Sequence, residues 1–363
     1  MLSALETREI TLTLADENDT RQLGLDIAMA ISTGGTIWLE GELGAGKSFL
    51  ARAIIRQICS DENLEIPSPT FSIVQNYDVL KHAQLAQVIH SDLYRLMDAN
   101  EIDELGITND EADTLILIEW PERAANLLQP AALRITLENT ENDDQRRVHI
   151  SGSKAWMMAL ERSLKIRQFL DTGWALSIGR KPLQGDASSR SYEFVSNESE
   201  TRILMNAPRQ ADGPPVKNGL PYSAIAHLAE DVSAFVGVGQ ILSDQGLRTP
   251  TLYHSDLEDG LLLLENLGAG QIIDTNRQPV KERYMAAAKM LADFHELEPN
   301  AQTTLPDGTV YQVPPYDREA MLIEVNLLAD WFAPRFKGGA LSKQETDQFV
   351  EIWNDLIDQL ATS

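Results

Sequence analysis

Cysteine is all but missing: Cys59 stands alone in 363 residues, which excludes an internal disulfide and a cysteine-based zinc site. No stretch approaches the roughly 20 apolar residues that a membrane span needs, so no membrane association is expected. Basic residues are scarce, with 30 Lys and Arg against 55 Asp and Glu and a net charge of −25. Such a surface gains little from neutralising a phosphate backbone, so any role in RNA biology is expected to run through protein partners. The opening residues, Met1 to Glu9, have an acidic balance and no apolar core, unlike a signal peptide. These absences fit a chain working in the reducing cytoplasm.

What remains is the composition of an ordinary globular protein, 43% hydrophobic and 23% charged, long enough for two domains. The first part alternates strand-like and helix-like stretches. Glu9–Leu14, Thr36–Glu40, Phe71–Val79, Gln84–His90, Thr114–Glu119, Leu133–Leu137 and Arg146–Ile150 pattern as strands. Leu23, Ile27, Ala30 and Ile31 share one helical face, and so do Leu50, Ile54, Ile55 and Ile58. The expected fold is α/β, with helices flanking a central sheet. It should occupy residues 1–152, with a helical linker over 153–165 and a second domain over 166–363. The second domain patterns as a short helix at Ile166–Leu170, then strands at Trp174–Ile178, Tyr192–Val195 and Arg202–Met205. A Pro/Gly-rich loop, Ala207–Pro221, follows, and helices dominate thereafter.

Between the strand at 36–40 and the next helix lies Gly41-Glu42-Leu43-Gly44-Ala45-Gly46-Lys47-Ser48. This is the phosphate-binding loop G-x-x-x-x-G-K-[ST], in the strand–turn–helix context the motif requires. Its glycines let backbone N–H groups wrap a phosphate, Lys47 reaches the β/γ oxygens, and the Ser48 hydroxyl ligates Mg²⁺. A second acid is needed near the metal. Glu119 ends the apolar run Leu115–Ile118, where it is either that ligand or a surface carboxylate before Pro121; the P-loop favours the ligand. Asp92, in His90-Ser91-Asp92-Leu93-Tyr94-Arg95, ends another strand and can orient a water or contact Mg²⁺. His90 beside it reads equally as an ordinary core histidine.

These motifs, with Ser68-Pro69-Thr70-Phe71 and Glu119-Trp120-Pro121, resemble in order and spacing those of the TsaE family over residues 8–150 or so. That family supplies the ATPase subunit for threonylcarbamoyladenosine synthesis at position 37 of tRNAs. The resemblance implies ATP and Mg²⁺ as cofactors, with nucleotide binding through Gly44, Ala45, Gly46, Lys47, Ser48 and Phe49. It also implies Mg²⁺ ligation by Ser48 and Glu119, an essential Asp92 and catalytic Lys47. Ser68–Phe71 resembles a switch loop in which Thr70 senses the γ-phosphate. Glu17 is similar to a residue on the adenine side, and Trp120 to a tryptophan near the nucleotide or in the core. TsaD and TsaB are the implied partners, with tRNA met only indirectly. No arginine finger is evident, so hydrolysis should depend on a partner.

From about residue 166 the chain resembles aminoglycoside-phosphotransferase-like kinases, particularly anomeric sugar kinases. Gly185–Tyr192 resembles their phosphate-loop hairpin, Ile203–Pro208 the strand after it, Leu263–Gly268 the interlobe hinge and Leu291–His295 a structural helix. The implied domain is a partial protein-kinase-like α+β fold. Its third strand lacks the phosphate-pairing lysine, and no His-x-Asp catalytic loop appears before Ser363, so kinase activity is not expected of this chain. Leu291, Phe294 and His295 read as a packing face. The alternative is a small-molecule (amino sugar) kinase with a regulatory P-loop domain.

Overall fold

The computed structural model describes residues 8–69, 73–80, 82–96, 98, 101–102, 105–107, 111–175, 178–183, 190–298 and 300–360. The chain divides into two compact units, Met1–Arg180 and Lys181–Ser363.

In the first unit β1 (Arg8–Leu14) precedes α1 (Glu17–Ala30), whose cap Asp16 accepts from the Asp19 N–H at 2.9 Å. β2 (Gly35–Gly41) and α2 (Lys47–Cys59) flank the glycine-rich turn. Then follow β3 (Val74–Asp78), β4 (Gln87–Asp92), β5 (Thr114–Glu119), β6 (Leu133–Asn139), β7 (Arg146–Gly152) and α3 (Lys154–Gly173). The strands form one sheet in the order β1-β7-β6-β2-β5-β4-β3. β6, β2, β5 and β4 run parallel at its centre, and the outer strands pair antiparallel. The first unit is thus the α/β fold its patterning predicts.

β5 is buried throughout, and its side chains separate with the two-residue period of a strand. Leu115 and Leu117 meet Ile37, Leu39 and the inner faces of α1 and α2, while Ile116 and Ile118 join Trp38 and Ile89 on the opposite face. A strand covered on both sides must read as continuously apolar, which is why this one was legible.

Residues 154–165, most of the stretch expected to link the domains, open α3, a single 20-residue helix that buries Met157 and Leu160 in the first core and packs on α1. Nothing between Lys154 and Gly173 breaks helix, so the stretches at 151–165 and 166–170 run together. Of the strand expected at Trp174–Ile178, residues 176 and 177 lie outside the described residues; the next described strand is β8 (Gly179–Leu183). The Trp174 N–H instead closes α3 on the Leu170 carbonyl at 2.9 Å.

The second unit is α+β. β8, β9 (Ser191–Ser196) and β10 (Thr201–Asn206) are followed by the small hairpin β11 (Pro215–Lys217) and β12 (Leu220–Pro221), in a stretch that patterns as loop. After α4 (Tyr222–Ile225) and α5 (Ser233–Asp244), β13 (Leu252–Asp256) and β14 (Leu261–Leu264) complete a sheet ordered β13-β14-β10-β9-β8. Val232 and Val236 pack at the α5 end against Met205, Leu262 and Leu264. Beyond lie α6 (Lys281–His295), the hairpin β15 (Gln302–Thr304) and β16 (Val310–Gln312), then α7 (Arg318–Leu327), α8 (Ala333–Lys337) and α9 (Lys343–Leu360). So strands persist in a region that patterns mainly as helix.

α6 buries none of its residues fully; of the packing face expected there, Leu291 is 57% exposed, His295 is exposed and Phe294 is half-buried. Of Gly185–Tyr192, residues 185–189 lie outside the described residues, as do Thr70 and Phe71. Among the described residues, no helix is long and apolar enough to cross a membrane.

Candidate functional site

Three neighbouring chain ends converge at the carboxyl edge of the parallel strands. Glu119 ends β5 and pairs in register with Asp92, the last residue of β4, on one side and Leu39 of β2 on the other. Its carbonyl accepts from Leu93 N–H at 3.0 Å, and the next N–H, of Trp120, bonds to the Leu39 carbonyl at 3.3 Å. The Glu119 backbone is therefore fixed from both sides. In open α/β sheets ligands bind at this edge.

β2 feeds the P-loop into the same edge. Gly41 approaches β6 so closely that a Cβ there would lie 2.2 Å from the Leu137 carbonyl oxygen, and Gly46 adopts φ +105° at the start of α2. Only glycine fits both demands. With glycine at the N-cap, no side chain competes for the first-turn N–H groups of α2, which remain for an anion. Arg146 of β7 braces the loop through a 3.2 Å bond from Nε to the Ala45 carbonyl.

Lys47 and Ser48 follow at once. Lys47 is buried, and its Nζ donates to the carbonyls of Gly41 at 2.7 Å and Glu42 at 2.8 Å. It also sits 3.7 Å from the centroid of the Trp120 ring. Burial pulls its ammonium below the ordinary lysine value, against the opposing pull of Glu119, Glu122 and Asp92. The Ser48 hydroxyl donates to Glu119 Oε2 at 2.8 Å. Hard oxygen donors thus face each other across the start of α2, a set suited to Mg²⁺ with phosphate oxygens and waters completing its shell.

Asp92 is 5% exposed, and its Oδ1 accepts from the Tyr94 N–H at 3.0 Å, an Asx turn that directs the chain away from β4. Trp120 takes φ 58°, a left-handed conformation that costs a non-glycine residue about 1–2 kcal/mol. Its ring lies 4.9 Å from that of Tyr94. Lys47, Ser48, Asp92 and Glu119 are therefore brought together. Phe49 follows them on α2, where Arg21 of α1 lies 5.9 Å over its ring. Glu17, one turn earlier on α1, is exposed, and Asp16 rather than Glu17 is the helix cap.

The sequence left the importance of His90 open. It is completely buried, and its Nε2 lies 2.9 Å from Glu119 Oε1. The only sequence signal is the period of β4: Val88, His90 and Asp92 fall on one face, and Val88 packs in the core beneath α2. Arg146 and Arg21 gave no signal, because their contacts join elements distant in sequence.

The family model of the threonylcarbamoyl adenosine biosynthesis protein TsaE matches residues 14–148. A tRNA threonylcarbamoyladenosine biosynthesis protein TsaE of Rickettsia conorii is 40% identical over 131 residues, covering 36% of this chain and 72% of that protein. The Mycobacterium tuberculosis protein of the same name is 34% identical over 142 residues, 38% of this chain and 83% of that one. Among solved structures, Bacillus subtilis YdiB superposes with a TM-score of 0.35 and 18% identity, over 45% of this chain and 99% of that one. In its P-loop unit, this chain belongs to the TsaE family.

Proposed function

We propose that the P-loop unit is a Mg²⁺-dependent ATPase that supports threonylcarbamoyladenosine modification of tRNA position 37, stimulated by TsaD- and TsaB-type partners in the cytoplasm. The observation that carries this reading is the 2.8 Å contact between Ser48 Oγ and Glu119 Oε2, made where the P-loop opens α2. It joins residues 71 positions apart, and both are of the type that holds Mg²⁺ beside a β/γ-phosphate. Bound Mg²⁺ would neutralise charge developing on the γ-phosphoryl group. Lys47 would leave the Gly41 and Glu42 carbonyls for phosphate oxygens. Asp92, fixed by its turn, would orient the attacking water. The second unit remains a kinase-like appendage in this reading.

The direct test is restoration of the modification in a bacterium deprived of its own TsaE. The chain should restore it and Lys47→Ala should not; failure of the unaltered chain sinks the proposal. Two substitutions should separate roles within the site. Glu119→Gln is expected to weaken nucleotide binding only when Mg²⁺ is present. Asp92→Asn should leave affinity within about threefold while turnover falls about 10²-fold, a size ordinary for general acid–base or water-positioning groups. Calorimetric titrations with and without Mg²⁺, alongside phosphate release, distinguish them. Were both variants normal in binding and turnover, neither residue would belong to the site.

The unaided chain should also bind naked tRNA poorly, at or above the non-specific range of about 10⁻⁶–10⁻⁴ M near physiological salt. Over residues 1–150, 26 acidic residues oppose 11 basic ones. Submicromolar binding in a filter or gel-shift assay would contradict the indirect route to tRNA.

A further inference from the structure

The two oxygens of the Glu119 carboxylate have different partners. Oε2 accepts from Ser48 and would be the oxygen offered to Mg²⁺. Oε1 lies 2.9 Å from Nε2 of His90, whose side chain is wholly buried beside a carboxylate that is 2% exposed. An ionised carboxylate taken out of water needs compensating donors. Among the described residues its hydrogen-bond partners are one hydroxyl and one imidazole, beside the Lys47 ammonium.

The hydroxyl carries one proton and two lone pairs. Were Ser48 and Oε2 both to hold Mg²⁺, the hydroxyl would face the metal with a lone pair and its bond to Oε2 would weaken. The imidazole bond lies on the oxygen away from Ser48 and persists. Because a carboxylate only accepts, Nε2 must carry the proton. Nδ1, nearer the root of the side chain, has no hydrogen-bond partner among the described residues. In the register of β4 and β5, His90 lies opposite Leu117, one pleat back from the Asp92–Glu119 pair and on the same face. Only the far nitrogen of the ring reaches forward to the carboxylate.

We propose that His90 is the positioning residue of the metal site: it holds Glu119 Oε1 so that a single, pre-oriented oxygen, Oε2, faces Ser48 and the metal. This rests on the Mg²⁺–nucleotide reading above. A histidine serving only as core filler would tolerate any substitution that fits. A positioning histidine is sensitive to where the replacement carries its N–H. Glutamine places an amide nitrogen near Nε2, whereas asparagine places one near Nδ1.

The experiment is calorimetric titration of the full chain with ATP in Mg²⁺ and in EDTA. For His90→Asn the affinity gained from Mg²⁺ should fall about 10–100-fold, the range found when a partner of a metal ligand is removed. Affinity in EDTA should stay within about twofold of the unaltered chain, because the partner acts on the metal ligand rather than on the nucleotide. His90→Gln should regain most of the loss. His90→Asn should add nothing in a Glu119→Gln background, since both act through one carboxylate. Full Mg²⁺ dependence in His90→Asn, equal loss in the glutamine variant, or additive losses would each overturn the proposal. An unaltered chain that binds ATP no better in Mg²⁺ than in EDTA would overturn the Mg²⁺ reading and this proposal with it. Should His90→Asn fail to fold, the His90 tautomer of the unaltered protein, read from its ring ¹⁵N resonances, decides. Nε2–H is expected, and Nδ1–H overturns the proposal.

Discussion

Phosphate release by Lys47→Ala, assayed with the proposed TsaD- and TsaB-type partners present, is expected to fall by about 10²-fold or more. Lys47 is a buried cation set among Glu119, Glu122 and Asp92, three carboxylates that would repel an incoming triphosphate. Without a nucleotide its ammonium is held by two P-loop carbonyls and the face of Trp120. Those contacts are individually modest for a charged donor, so phosphate oxygens can replace them. Alanine removes a preorganised donor and also leaves the acidic groups uncompensated, so binding and turnover should both suffer. The thermal transition should fall too, because Lys47 is buried and alanine removes two part-buried hydrogen bonds while leaving buried carboxylates beside the gap. Hydrolysis within about twofold of the unaltered chain would remove Lys47 from the catalytic machinery.

The contrast between Lys47 and His90 shows what a sequence carries. The P-loop is a contiguous string, and its strand and helix follow from local periodicity, so Gly41–Ser48 and the run into Glu119 were legible. His90 lies 29 residues from Glu119, and their meeting depends on parallel register between β4 and β5. No local pattern encodes that register. A lone histidine in an apolar strand therefore looks the same whether it fills space or holds a carboxylate.

α3 and α6 mark a different limit. Helical periodicity over Lys154–Gly173 was visible in pieces, but whether such a helix links units or packs on one depends on a partner surface remote in sequence. In α6 the apolar positions were legible too, yet amphipathicity names the face that would be buried without supplying a cover.

The answer for α3 lies partly in a buried charge, which gives the second large prediction. Asp26 of α1 is fully buried, and Arg180 Nη1 reaches its Oδ1 at 3.0 Å while Arg167 pairs with Oδ2. Arg180 also donates to Ser163 Oγ at 2.9 Å and to the Ser163 carbonyl at 3.2 Å. One carboxylate thus ties α1 to α3 and to Arg180. Burial pulls the Arg167 guanidinium down to about 10, with Asp171 opposing it, so positive charge is costly at this place. Asp26→Asn keeps the shape and removes the charge, leaving two guanidinium groups close together without their shared counterion. Breaking a buried pair in this way costs about 3–5 kcal/mol. At about 2–4 °C per kcal/mol for a unit of this size, the transition should drop by roughly 6–20 °C. With two units the melt need not be two-state. Scanning calorimetry should therefore follow the transition that Mg²⁺–ATP raises, since ligand stabilises only the unit that binds it. Replacing Asp26, Arg167 and Arg180 together by apolar residues of similar volume should recover much of the loss, because a buried ion cluster yields little net stability over a well-packed apolar one. A shift under about 2 °C in Asp26→Asn would mean that water reaches these groups and that α3 is held by its buried apolar side chains, Met157 and Leu160 among them.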